Sequence, residues 1–325
     1  MKRGLKICLS LLVLSLVLTG CTTGAKAAKV KVIGVIQLVT HPALDAALNG
    51  MTAYLEANGY DETKVKIVVK NADGKAENAD LIAKQFVNEG VDLIYAIATI
   101  SAQAAYNATK DNGIPVVFNA VTDAVAAGII TSNDQPGGNV TGVSDAAPLE
   151  RQLQLIKDLL PNAKKIGLMY NLGEVNGQIQ VDQVKALAPG LGLETVIIGV
   201  TNNDEIASAA GQLASEVDAI YNITDNLIVT ATPIIADKAT TAGIPVFAAE
   251  NGGIGQGVLA VDGLSYEKLG TQAGPIVVDI LFNAKKPADI AVSGATDTAL
   301  EIDSAVASRL GITIPEALKA RATLR

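Results

Sequence analysis

The sequence predicts an α/β protein of two Rossmann-like lobes, each an open parallel sheet with helices on both faces, joined by a multi-strand hinge. Three observations predict it. The chain echoes itself at a nearly constant offset, and strand-like runs alternate with helix-like runs along its length. Its apolar fraction, 49%, is almost wholly aliphatic, with aromatics at 3% and no Trp. Parallel strands buried on both faces are near-continuous runs of Val, Ile and Leu, which is the vocabulary found here.

The echo carries most weight. Lys31-Val32-Ile33-Gly34-Val35 is matched by Lys164-Lys165-Ile166-Gly167-Leu168, Asp92-Leu93-Ile94-Tyr95 by Asp218-Ala219-Ile220-Tyr221, and Gly113-Ile114-Pro115-Val116 by Gly243-Ile244-Pro245-Val246, at offsets of 133, 126 and 130. One such pair is coincidence between buried strands. Three in the same order describe two units of one construction.

The elements follow from the N-terminus. Lys2, Arg3 and Lys6 precede an apolar run over 7–18, which is short for a permanent span and suited to a signal-peptide core. The run ends in Leu18-Thr19-Gly20-Cys21, the pattern of a lipoprotein cleavage site, so residues 1–20 are expected to be removed and Cys21 to carry lipid. Residues 21–29 then form a lipidated tether. Cys8 leaves with the signal peptide, and no thiol remains for a disulfide, a metal site or a nucleophile. Removal of three basic residues takes the formal charge from −8 to −11. An acidic surface without a basic run excludes nucleic acid as a partner.

In the first lobe, strands are expected at 31–38, 65–69, 93–98 and 116–119. A helix begins at Pro42, where a missing N–H costs nothing, and runs with Leu44, Ala47, Met51 and Leu55 on one face to Asn58-Gly59. Further helices are expected at 77–89 and 101–110. The second lobe repeats the alternation, with strands at 165–170, 194–198, 219–223 and 245–248 and helices at 176–188, 204–215 and 228–241. Crossovers are expected at 137–142 and 258–263, followed by a long helix over 266–282, a third crossing within 289–303 and a tail on the second lobe. The N-terminal lobe is therefore 30–142 plus 264–290, and the C-terminal lobe 143–263 plus 291–325.

Open α/β sheets bind ligands beyond the carboxyl ends of their strands. Two lobes facing each other would trap a ligand there and close by hinge motion. The candidate ligand-binding residues are Gln37, His41, Thr99, Ser101 and Asp123 on lobe one, and Asn171, Glu174, Thr224, Asp225, Asn226 and Glu250 on lobe two. Thr99 and Ser101 open a helix whose free N–H groups and dipole favour an anion such as a carboxylate, although Ser101 also suits simple capping. Asp225 and Glu250 supply negative charge for an ammonium group; capping serves Asp225 equally well, and Glu250 before Asn251-Gly252-Gly253 suits an exposed turn. An anion site facing a cation site describes an α-amino acid. His41, the one histidine, is a candidate contact to the ligand, and alone it anchors no metal site.

Several strings resemble the substrate-binding lipoproteins of ABC transporters, of the tryptophan/tyrosine-binding type. They are His41-Pro42-Ala43-Leu44-Asp45, Ala96-Ile97-Ala98-Thr99, Ala120-Val121-Thr122-Asp123, Pro136-Gly137-Gly138-Asn139-Val140-Thr141-Gly142-Val143-Ser144-Asp145, Leu159-Leu160-Pro161-Asn162-Ala163-Lys164 and Thr224-Asp225-Asn226. The resemblance spans nearly all of the mature chain. It implies a type I-like periplasmic-binding-protein fold, capture of an aromatic amino acid, and docking on an ABC permease with a cytoplasmic ATPase. This chain departs from the family pattern at Ala124 and Leu172, where Pro is usual, at Glu250, where Asp is common, and at Gly253, where Ser is common.

The expected protein is thus a lipid-anchored solute receptor at the outer face of the cell membrane or in the periplasm, without catalytic residues, metal or cofactor. Two rivals remain. A sensory binding protein presenting its ligand to a membrane receptor would share fold and site. A secreted hydrolase would use Asp225 and Glu250 as a carboxylate pair, but no Gly-x-Ser-x-Gly elbow, phosphate loop or dinucleotide spacing accompanies them.

Overall fold

The computed structural model describes residues 29–295 and 297–325; the expected signal peptide and Cys21 lie outside them. Strands β1 (Lys31–Gln37), β2 (Val65–Asn71), β3 (Leu93–Ile97), β4 (Val116–Asn119) and β5 (Val140–Ser144) belong to a first sheet. Strands β6 (Lys165–Asn171), β7 (Glu194–Val200), β8 (Ala219–Asn222), β9 (Val246–Glu250) and β10 (Ala260–Leu264) belong to a second. The chain then returns to the first sheet as β11 (Ser293–Gly294) and ends in the second as β12 (Thr298–Ile302) and β13 (Thr323–Leu324).

The strand orders are β11-β5-β4-β3-β1-β2 and β13-β12-β10-β9-β8-β6-β7. All pairings are parallel except β10 with β12. The core order β4-β3-β1-β2 of one lobe reappears as β9-β8-β6-β7 in the other, so the three sequence echoes fall on equivalent strands. The echoed acids also do equivalent work. Asp92 accepts the Val32 N–H at 2.9 Å, and Asp218 accepts the N–H groups of Lys164 and Lys165 at 2.7 and 2.8 Å. Each carboxylate ties the turn before the third strand to the start of the first.

Strand membership puts the three crossings after Ser144, after Leu264 and between Gly294 and Thr298. Two segments expected as crossovers are therefore largely strands. Val140, Thr141 and Val143 are β-branched and buried, and Gly142 lies so close to β4 that a Cβ there would collide with the Phe118 backbone. The helix expected over 228–241 is two, Asn226–Thr230 and Thr232–Thr241, because Pro233 cannot donate into a continuing ladder and opens the second.

The helices Pro42–Ala57 and Tyr266–Phe282 cover one face of the first sheet and pack on each other through Gly50 and Gly270. A Cβ on Gly50 would run into the carbonyl of Glu267, and one on Gly270 into that of Ala47. The cores are aliphatic as the composition requires; Tyr95 and Tyr221, Phe86, Phe118 and Phe247 are the largest side chains fully or almost fully buried. Among the described residues no helix is long and apolar enough to cross a membrane.

Candidate functional site

In both sheets the chain reverses direction beside the first strand of the lobe, between β1 and β3 and between β6 and β8. Loops leaving the carboxyl ends of neighbouring strands diverge there and leave a crevice. The two crevices face each other across a narrow interlobe cavity. Lobe one contributes His41 and Leu44 after β1, Thr99 after β3, and Ala120 and Thr122 after β4. Lobe two contributes Asn176, Thr224, Asp225, Asn226, Val229 and Glu250, and the crossings contribute Asp145 and Tyr266.

Of the eleven residues expected from the sequence, six line this cavity: His41, Thr99, Thr224, Asp225, Asn226 and Glu250. Five do not. Gln37 donates to Val39 O at 3.1 Å and to Asp45 at 2.6 Å, fastening the loop before the first helix. Asp123 accepts the N–H groups of Val125 and Ala126 and shapes its own turn. Ser101 is fully buried within the helix Thr99–Thr109, its hydroxyl without a hydrogen-bond partner among the described residues. Asn171 and Glu174 face a second interlobe space, shared with Val39, Lys75 and Asn226.

The acids have different surroundings. Asp225 caps the helix Asn226–Thr230 by accepting the Ile228 N–H at 3.1 Å and also takes the Asn171 N–H at 2.7 Å, so both oxygens are engaged by backbone. Glu174 accepts five hydrogen bonds, from Asn171, Asn176, the Leu227 N–H and both nitrogens of Asn226. Glu250 is not an exposed turn residue: it is 3% exposed, and Oε2 accepts the Gly252 N–H at 2.7 Å while no protein donor meets Oε1 among the described residues. Asp145 accepts from Thr122 at 3.2 Å and from the Tyr266 hydroxyl at 2.8 Å, joining the first crossing to the second.

Among the described residues no Lys or Arg lines the cavity. Burial pushes the carboxyls of Glu250 and Asp145 up from the ordinary range. Burial, and after it the charge of Glu174, pushes Asp225 up too. Groups raised in the fold favour it while protonated, and that contribution is lost as pH rises through the raised values. Ligand-free protein is therefore expected to show a higher Tm at pH 5.5 than at pH 8, and a saturating ligand that sets an ammonium group against these acids is expected to shrink the difference. Calorimetric scans at both pH values check this.

Opposite the acids stands a donor array. Ala98 precedes the helix Thr99–Thr109 with φ +80°, and Ala120 follows β4 with φ +58°. Such conformations are costly for a residue with a Cβ and persist where surrounding structure enforces them, commonly at binding sites. Here they turn the chain sharply at two strand ends, and the helix start that follows the first turn brings Thr99 to the cavity. The orphan donors and the dipole of a helix start favour an anionic group.

Sequence reasoning missed Leu44, Ala120, Thr122, Asp145, Asn176, Val229 and Tyr266. Two signals were available: Asp145 ends the Pro136–Asp145 string, and Tyr266 follows a crossing directly. Buried, unpartnered polar atoms in the lining, Nδ1 of His41 and Oδ1 of Asn176, had no signature in sequence.

Two matched α/β lobes with a buried polar cavity between them have the two-lobe arrangement of the type I periplasmic binding proteins. The model of one family, described as ABC transporter substrate binding protein, matches residues 32–324, and the chain belongs to that family. A tyrosine-binding protein of Clostridioides difficile (strain R20291) is 44% identical over 276 residues, covering 85% of this chain and 79% of the relative. A Streptococcus pneumonia domain solved in complex with L-Trp is 37% identical, with TM-score 0.87 over 91% of this chain and 99% of that one. A ligand-free, open substrate-binding protein with adhesive properties from Clostridium difficile is 40% identical over the same shares, yet its TM-score is 0.70.

Proposed function

We propose that the chain is the extracytoplasmic solute-binding lipoprotein of an ABC importer, held to the membrane by lipid on Cys21, and that it captures an aromatic L-amino acid between its lobes. The observation that carries this reading is a closed interlobe cavity with carboxylates and no basic side chain on one side and a helix start on the other. Three buried acids without a cation are unfavourable alone. An α-ammonium beside Glu250 supplies the missing charge, and the ligand carboxylate takes the N–H groups at the start of the helix Thr99–Thr109. The choice of aromatic side chain follows the tyrosine-binding relative and the L-Trp complex. The protein acts by binding and hinge closure, without a chemical step; its permease and ATPase are the partners, reached through the closed form.

Two measurements test it. Isothermal calorimetry with all twenty L-amino acids is expected to give one-to-one binding, strongest for tryptophan, tyrosine or phenylalanine; binding of none of the twenty would overturn it. Replacement of Cys21 by Ser is expected to move the protein from the membrane fraction to the soluble one, and retention at the membrane would remove the lipid anchor.

A further inference from the structure

We propose that His41 selects its ligand as a hydrogen-bond acceptor through Nδ1, and that Glu174 and Asn226 of the opposite lobe set the tautomer that makes it one. The inference rests on the amino-acid reading of the cavity given above and adds a specificity device to it.

The geometry runs from lobe two to lobe one. Five donors converge on Glu174, an arrangement that suits a carboxylate with neither oxygen carrying hydrogen. One of them is the side-chain nitrogen of Asn226, 2.6 Å from Oε2. That contact settles which way the Asn226 amide faces, because the flipped amide would set its oxygen against a carboxylate oxygen. With the nitrogen committed to Glu174, Oδ1 of Asn226 faces Nε2 of His41 at 3.4 Å across the gap between the lobes. An amide oxygen only accepts, so the imidazole hydrogen belongs on Nε2.

A neutral imidazole carries one ring hydrogen, and Nδ1 is then left with a lone pair. His41 is 7% exposed, its ring lines the ligand cavity, and Nδ1 has no hydrogen-bond partner among the described residues. Burial holds its pKa below the ordinary histidine value, against the opposing pull of Asn226, of Asp45 on its own helix and of Glu174 across the cleft; Glu250 lines the same cavity. Neutral His41 is thus the favoured form. A buried acceptor without a donor is costly, and a ligand N–H or O–H relieves that cost.

Two consequences follow. A ligand whose facing donor is methylated loses the hydrogen bond and leaves the lone pair stranded, so the position discriminates by what it rejects. The tautomer is set by a residue of the other lobe, so His41 is prepared as an acceptor only when the lobes are together. Ligand reading and closure are thereby linked through one ring.

With a single histidine in the chain, nitrogen NMR of 15N-imidazole-labelled protein reports this site alone. Samples saturated with L-tryptophan and with L-tyrosine are expected to show a protonated Nε2 and an unprotonated Nδ1 whose shift is displaced from that of a free lone pair by a hydrogen bond. A protonated Nδ1, or an undisplaced lone pair, would overturn the proposal and leave the amino-acid reading intact. Calorimetry of His41→Asn, whose amide oxygen stands near the position of Nδ1, is expected to keep affinity within a few-fold. His41→Leu is expected to lose roughly tenfold or more while the Tm of ligand-free protein is not lowered, since the stranded acceptor is gone. Equal affinities for these two variants would also overturn it. If neither amino acid binds the unaltered protein, the reading beneath the proposal fails and takes it along.

Discussion

Glu250→Gln is expected to weaken binding of the preferred aromatic amino acid by about 2–4 kcal/mol, roughly 30- to 1,000-fold. Glu250 lines the cavity, is buried, and commits only Oε2 to a protein donor. Its other oxygen is available to an ammonium group, in surroundings where a lone charge is poorly solvated and a paired one strongly held. Gln keeps the size and accepts the Gly252 N–H through its carbonyl, so the loop is preserved while the charge is removed. The ligand-free variant is expected to match or exceed the unaltered protein in Tm at pH 8, because it no longer carries a carboxyl whose ionisation burial opposes. Calorimetric titration beside a thermal scan separates the two effects. Unchanged affinity would transfer the ammonium group to Asp145, whose oxygens already serve Thr122 and Tyr266.

The largest effect on stability is expected from Gly50→Ala, a loss of about 3 kcal/mol. Gly50 lets the helices Pro42–Ala57 and Tyr266–Phe282 approach until backbone meets backbone, and a methyl group there pushes against the backbone of Glu267 and Thr271. Backbone of a packed helix does not yield as a flexible side chain would, so the two helices must separate and expose apolar area along their length. Gly211→Ala is the control. It lies in the helix Asn203–Glu216 with nothing near its added Cβ, and there the change is expected to stabilise by up to about 1 kcal/mol, the helix-propensity difference. Urea unfolding of both variants checks magnitude and sign. A Gly50→Ala protein as stable as the original would mean that the helices pack less closely than described.

The fold was legible because its signals are local and repeated. Runs such as Val32-Ile33-Gly34-Val35-Ile36 and Leu93-Ile94-Tyr95-Ala96-Ile97 are buried strands in any context, and their echoes in the second half lie on the equivalent strands β6 and β8. Half-legible elements are those in which one residue type serves two purposes. Gly142 suits a crossover and equally a strand pressed against Phe118, and only the position of β4 distinguishes them. Pro233 announces a helix start but not that another helix ends immediately before it.

The candidate site divides in the same way. Residues just after strands are placed by topology, and for that reason His41, Thr99, Thr224, Asp225, Asn226 and Glu250 were reachable from sequence. Which of two acids keeps a free oxygen was not, since it depends on backbone donors from elsewhere: Asn171 and Ile228 occupy Asp225, whereas among the described residues Gly252 alone reaches Glu250. Asn176, Asp145 and Tyr266 enter the cavity from a helix and two crossings, and no strand-end rule points to them.

The order of residues therefore determined the architecture by itself: aliphatic strands, helices between them, the doubling of the unit, and the ends at which loops gather. These are properties of short segments whose burial preference and periodicity do not depend on distant neighbours. Tertiary structure alone decided the chemistry of the gap, namely which carboxylate is spent, which lone pair is stranded and which tautomer the histidine takes. Hydrogen bonds and solvation are pairwise and distance-dependent, and the partners here lie up to 185 positions apart in the chain.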